Sequence, residues 1–141
     1  MGTKLTLSIE VDDEKIKGLL CCAFEGGSNY WAQVDDYELA SGLYLDDFKK
    51  GGKLTDPKNY WHPCQIVPFV EGCAVIVMER ENERRDRKTM HKLDRAAIQK
   101  GIDALMQKYP RHFGDFLSDN TDATTGDVFL QCCLFGEVVY G

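Results

Sequence analysis

No apolar run long enough to cross a bilayer, roughly eighteen residues, occurs anywhere in the chain, and the opening MGTKLTLSIEVDDE lacks an apolar stretch of signal-peptide length. The expectation is a protein that is neither exported by the usual route nor embedded in a membrane. Positive charge is scarce as well. Seventeen Lys and Arg stand against twenty-three Asp and Glu, a net charge of −6, which argues against a general affinity for nucleic-acid phosphates or anionic lipid. The acidic excess is too small and too scattered for a mimic of a phosphate backbone. There is no phosphate-binding loop, nucleophile elbow, HExxH, dinucleotide fingerprint or kinase motif, so the sequence carries no catalytic signature and nominates no catalytic residue. No internal repeat, low-complexity tract or linker interrupts it, and residues 1–141 read as one domain.

What is present is material for a core. Apolar residues make up 43% of the 141 positions and aromatic residues 11%, outside the range of disordered chains. The six cysteines are read as reduced, buried thiols, because a chain of this length and apolar content needs no disulfide scaffold. In KLTLSIEV, residues 4–11, Leu5, Leu7, Ile9 and Val11 alternate with polar neighbours as a half-buried strand does. Ser28 to Val34 read as a second strand. Residues 65–70 and 73–78, two apolar runs around Glu71-Gly72, read as a hairpin with Pro68 confining the first run to an edge. The charge run Glu79 to Lys88 reads as a hairpin tip, with Thr89 to Leu93 returning as a strand.

Helices are signalled by the other period. Asp12 is a cap for a helix with Ile16, Leu19, Leu20, Ala23 and Phe24 on one face, ended by Gly26 and Gly27. Asp94 caps another, striped by Ile98, Ile102, Leu105, Met106 and Tyr109 and stopped by Pro110. A helical turn follows at RHFGDFLSD. Thr124 to Asp127 has capping-box spacing for a last helix that is apolar nearly all round, hence central to the core or covered by a partner subunit. The sum is an α+β fold: an antiparallel sheet of about four or five strands packed by three or four helices, with the apolar C-terminal helix in the core.

Few polar groups are placed to do chemistry. Neither cysteine pair has CxxC spacing, so no metal is assigned and no cofactor is expected. His62 and Cys64 could be a base and a nucleophile, but a proline between them favours an extended segment that holds the two apart. The loop Glu25-Gly26-Gly27-Ser28-Asn29 leaves a helix C-terminus, the wrong polarity for a phosphate cradle. Asp115, Asp119, Asn120, Asp122 and Asp127 lack the ligand order of a calcium loop, and caps and turns account for them, Asp115 aside. The ligand-binding candidates are Asn29, Tyr30, Trp31, Trp61 and His62, with Arg111 and His112 as an anion-contacting pair.

Two blocks, LLCCAFEGGSNYW at residues 19–31 and KYPRHFGDFLSDNTDATTGDVFLQCCLFGEVVYG at residues 108–141, resemble a family of small proteins encoded in tailed-bacteriophage and prophage genomes. They cover about a third of the chain, and residues 35–107 add little to the likeness. The resemblance carries over no functional residue. It implies a setting, the cytoplasm of an infected bacterium, and a job: an accessory protein that antagonises a defence system by binding a host defence protein or sequestering a nucleotide-like small molecule. A homo-oligomer is expected. The alternatives are a small cysteine- or histidine-dependent hydrolase or transferase, and a virion or assembly component.

Overall fold

The computed structural model of the chain describes residues 1–6, 8–58, 61–81 and 87–141. Within them the elements run α1 (Asp13–Cys22), β1 (Ala32–Glu38), α2 (Pro63–Ile66), β2 (Ala74–Glu79), β3 (Met90–Leu93), α3 (Arg95–Lys108), α4 (Pro110–Leu117) and α5 (Ala123–Phe135). The fold is mixed α and β with an antiparallel sheet, as expected. The inventory differs: three strands in the order β1-β2-β3 and five helices among the described residues.

β2 is the middle strand because its run of apolar residues can be buried on both faces. It pairs with β1 through Ala32↔Glu79 and Val34↔Val77, with an irregularity at Asp35 that shifts the register, and with β3 through Val75↔Leu93 and Val77↔His91. Val75, Val77 and Leu93 are fully buried against the helices. α5 is the centre of that layer. Val128, Phe129, Leu130, Cys132 and Cys133 join one core cluster with Leu19 and Leu20 of α1 and Ile98 and Leu105 of α3. A helix apolar on every side requires neighbours on every side, and here its own chain supplies them.

Several expectations need correction. Residues 4–6 and 8–11 form no strand, and Leu7 lies outside the described residues. An alternating pattern supplies a strand with a face but not with a ladder, and neither edge of the sheet is taken by this segment. Leu5 and Ile9 stay exposed. Ser28 to Trp31 are a tight turn, and β1 begins only at Ala32. Of residues 65–70, expected as an edge strand, 65–69 are helical, in a segment that begins at Pro63. Pro63 occupies the first helical position, the His62 ring accepts from the Cys64 N–H, and the Gln65 side chain accepts from the His62 N–H, a reciprocal cap that outweighs the β-branched residues after it. The hairpin tip expected after Glu79 falls largely on residues 82–86, outside the described residues.

The caps at Asp12 and Asp94 form as expected, accepting from Glu14 and Ala97 N–H. In α3 Met106 turns outward, while Gly101 takes its place beside Cys133. α5 is capped two residues earlier than its sequence suggests, by Asp122 accepting from Thr125 N–H at 2.8 Å. Asp127 is thereby released from capping, and it lies inside.

α1 and α5 touch at backbone distance. A Cβ on Gly126 would lie 2.6 Å from Cys22 Cβ and 2.7 Å from Ala23 N, whereas one on Gly114 in α4 would meet nothing within 4 Å. Gly126→Ala should therefore lower the unfolding free energy by about 1–3 kcal/mol, as overpacking does. Gly114→Ala should raise it by about 0.5–1 kcal/mol through helix propensity. Urea unfolding of the two variants beside the parent protein checks both signs.

Candidate functional site

The residues after α1 do two jobs on two sides. Ala23 to Gly27 widen the helix into its final turn, Glu25 and Gly26 leave helical geometry, and the chain turns through Ser28 to Trp31 into β1. Gly27 is needed for contact rather than for flexibility: a Cβ there would stand 2.2 Å from the Ala123 carbonyl oxygen at the start of α5.

On the inner side this turn closes around Asp127. Ser28 Oγ and Trp31 Nε1 donate to Asp127 Oδ1 at 2.8 and 2.7 Å, Gln131 Nε2 donates to the same oxygen at 3.2 Å, and Tyr30 OH donates to Oδ2 at 2.7 Å. A buried carboxyl is tolerated when its lone pairs are filled, and these four donors fill them. Burial, then the bond to Asp127, push the Tyr30 phenol up to about 12. Gln131 also holds the end of the chain. Its Oε1 accepts from Val139 and Tyr140 N–H at 2.7 and 2.8 Å, and its Nε2 donates to the Tyr140 carbonyl at 3.2 Å. The Tyr140 ring stacks on Trp31, centroids 5.0 Å apart and 12° from parallel. Its hydroxyl donates to Glu79, whose other oxygen is 2.9 Å from His91 Nε2. That bond, with burial, pushes the Tyr140 hydroxyl up to about 12.

On the outer side lies a cleft of about 320 Å³, lined by Phe24, Glu25, Asn29 and Gln33 from the turn and β1, by His62, Cys64 and Gln65 at α2, and by Arg80 beyond β2. Arg80 is fixed by its main chain, which donates to Trp31 O at 2.7 Å, and by its guanidinium, whose Nε donates to Asn29 O and whose Nη1 donates to Gln33 Oε1 at 3.1 Å. Cys21 Sγ donates to Glu25 Oε2 at 3.2 Å. Gln65 is 2% exposed, and its Nε2 has no hydrogen-bond partner among the described residues. The Gln65 amide stands beside the Cys21 sulfur, a weak acceptor.

His62 and Cys64 are in contact after all. Helical rather than extended geometry brings His62 Nδ1 to 3.1 Å from Cys64 Sγ. Burial pushes the Cys64 thiol up to about 12, so it stays protonated at neutral pH, and a thiol rather than a thiolate is a poor attacking group. The Cys21 and Cys132 thiols are pushed up to about 11, and that of Cys133 well above its ordinary value, each chiefly by burial.

The sequence-nominated residues thus separate. Asn29 and His62 share the cleft. Tyr30 and Trp31 serve the Asp127 network, and Trp61 Nε1 donates to Glu14 Oε2 at 2.7 Å. His112 Nδ1 is 2.9 Å from the buried Thr125 hydroxyl, where it ties α4 to α5, and Arg111 is exposed beside it, away from the cleft. Sequence reasoning missed Glu25, Gln65 and Arg80 as a group. A His-Pro-x-Gln cap was legible for Gln65, whereas Arg80 was hidden inside a charge run. Of the acidic joint, Asp122 caps α5, and Asp127 is neither cap nor turn. Among the described residues, no group of three or more His, Cys, Asp or Glu side chains is placed to hold a metal ion, and no helix is long and apolar enough to cross a membrane.

Fold and site together define an α+β protein with a polar cleft braced by a buried carboxyl network. The chain matches no protein-family model, no curated protein and no solved structure.

Two outcomes follow from the network and the thiols. Asp127→Ala orphans the Ser28 and Trp31 donors at once and should lower stability by about 3 kcal/mol or more, while Ser28→Ala should cost about 1 kcal/mol, both read by denaturant unfolding. Thiols and phenols whose folded values exceed their unfolded ones keep protons that the unfolded chain releases, so the slope of stability against pH is negative above the unfolded values. For Cys21, Cys64, Cys132, Tyr30 and Tyr140 that window opens near the ordinary values of 9.0 for a thiol and 10.0 for a phenol and runs to about 11–12. The midpoint of thermal unfolding should fall steadily as pH rises from 9 to 11, and Cys64 should resist alkylation in the native protein yet react in urea.

Proposed function

We propose that this chain is a phage-encoded accessory protein that works by binding, holding a nucleotide-like small molecule in the cleft between residues 24–34 and residues 62–65 and so depriving a bacterial defence system of its signal. The observation that carries the reading is the cleft itself: a recess of about 320 Å³ with fixed hydrogen-bonding groups of both kinds, in which the one thiol is held protonated. Fixed donors and acceptors around a concave surface suit recognition, whereas turnover requires an activated group. The phage setting rests on the two sequence blocks, and both contribute to the network that braces the cleft.

A homo-oligomer belongs to the same proposal on altered grounds. The C-terminal helix is covered by its own chain, so a second copy would have to cover other apolar residues, such as Leu5 and Ile9, 79% and 51% exposed. Native mass spectrometry of the protein purified from infected cells reads both features together. The expected spectrum shows more than one subunit and a bound small molecule that denaturation releases as a nucleotide. A monomer without cargo that instead retains one host protein stoichiometrically in a pull-down would move the reading to a protein-directed inhibitor. Turnover of a nucleotide that is lost in Cys64→Ala or His62→Ala would replace it with an enzyme.

A further inference from the structure

Within the homo-oligomer part of that proposal, on which this inference rests, we infer that two copies pack face to face through the sheet surface turned away from the helices. The two-fold axis runs along β2 and sets Asp36 of one copy against Lys92 of the other. β2 is apolar on both sides. Val75 and Val77 point toward the helices and, with Leu93, join the core cluster. Ala74, Ile76 and Met78 alternate with them and point the other way, and neither they nor Met90, the ladder partner of Met78, belong to that cluster. A solvated sheet face alternates apolar with polar residues along each strand, so a strand apolar on both sides belongs in a sheet covered on both sides. Here the helices cover one. On the other, Ile76 and Met90 stay half-buried and line a recess of about 400 Å³.

The charges on that face select its cover. In the ladder Asp36 of β1, Ile76 of β2 and Lys92 of β3 stand in one row: acid, apolar, base. Glu38, opposite Ala74, adds a second carboxylate on the β1 side. A two-fold axis parallel to β2, lying between two such faces, lays β1 of each copy over β3 of the other. Each acid then meets a base, and Ile76 meets Ile76. An axis across the strands would instead set Asp36 against Asp36 and Lys92 against Lys92, which like-charge repulsion disfavours. Both charges have capacity for a second partner. The exposed Lys92 ammonium, with three donors, holds Glu38 at 2.7 Å, and Asp36 Oδ1 accepts from Tyr37 N–H at 2.8 Å while its carboxylate has a second oxygen. Three strands, the middle one of 6 residues, make a face of roughly 14 by 20 Å, at the low end of interface sizes, so the dimer should dissociate in the micromolar range.

Sedimentation equilibrium of the full chain from about 1 µM to about 300 µM tests the assignment. The parent should pass from monomer to dimer across that range. Ile76→Lys, outside the core cluster, should weaken the dimer at least about tenfold while keeping the parent's near-ultraviolet circular dichroism. Asp36→Lys and Lys92→Glu should each weaken self-association about tenfold, because each sets like charges against one another on both sides of the axis. Mixed in equal amounts, these two variants should form a heterodimer about as tight as the parent dimer, since every flanking contact in the mixed pair joins a base to an acid. A parent oligomer unaffected by Ile76→Lys, or two charge variants that fail to pair on mixing, overturns the sheet-face assignment and leaves the oligomer reading standing. A parent that stays monomeric at the highest concentration overturns both.

Discussion

The structure depends on one buried carboxyl group. Asp127 joins α5 to residues that lie 99, 97 and 96 positions away in the chain, and all of its bonds run to the turn that follows α1 or to its own helix. Moving such a group out of water is expensive, and the interior accepts it only because the donors arrive together and in fixed directions. That requirement is stricter than apolar packing. Leucines tolerate small shifts, whereas four hydrogen bonds to two oxygens fix where Ser28, Tyr30 and Trp31 can be. The turn is therefore placed by α5, and the first residue of β1 is placed by the turn.

The same constraint reaches the cleft. Trp31, held by Asp127 through its indole, accepts through its carbonyl from Arg80 N–H, and Arg80 in turn donates to Asn29 O and Gln33 Oε1. Neighbouring residues of one short segment thus face opposite ways, Ser28 and Trp31 inward, Glu25 and Asn29 toward the cleft. A ligand that meets groups already held in position loses less free energy to ordering than one that meets loose side chains. The interior network and the binding surface are two sides of one turn.

Periodicity made much of this fold legible, and its failures are specific. α1, α3 and α5 carry stripes and caps whose physics is local, and β2 carries an apolar run that suits the middle of a sheet. The segment 63–69 misled because Ile66, Val67 and Phe69 favour strands on average, while a Pro at the first helical position and a reciprocal His62–Gln65 cap favour a helix here. Residues 4–11 misled for the opposite reason: the pattern is that of a strand, but pairing depends on an edge that no local pattern reports. At the sequence level Asp127 reads as a cap residue, because a carboxyl at the start of a helix is ordinarily solvated. Only the three-dimensional approach of Ser28 and Trp31 shows otherwise. Of the cleft, Asn29 and His62 are legible in the sequence, and Glu25, Gln65 and Arg80 are not, since they converge from three separate segments.

Residues 19–31 and 108–141, far apart in the chain, are one structural unit. The first supplies Ser28, Tyr30 and Trp31. The second supplies Asp127, Gln131 and the tail in which Tyr140 stacks on Trp31. The folding constraint is thus concentrated in these two segments, and a constraint on folding is silent about cargo. Of the groups that line the cleft, Glu25 and Asn29 belong to the first segment, but His62, Gln65 and Arg80 come from residues 35–107. The scaffold is fixed by these two segments and the lining of the cleft is completed outside them, so a change of lining residues leaves the folding constraint untouched.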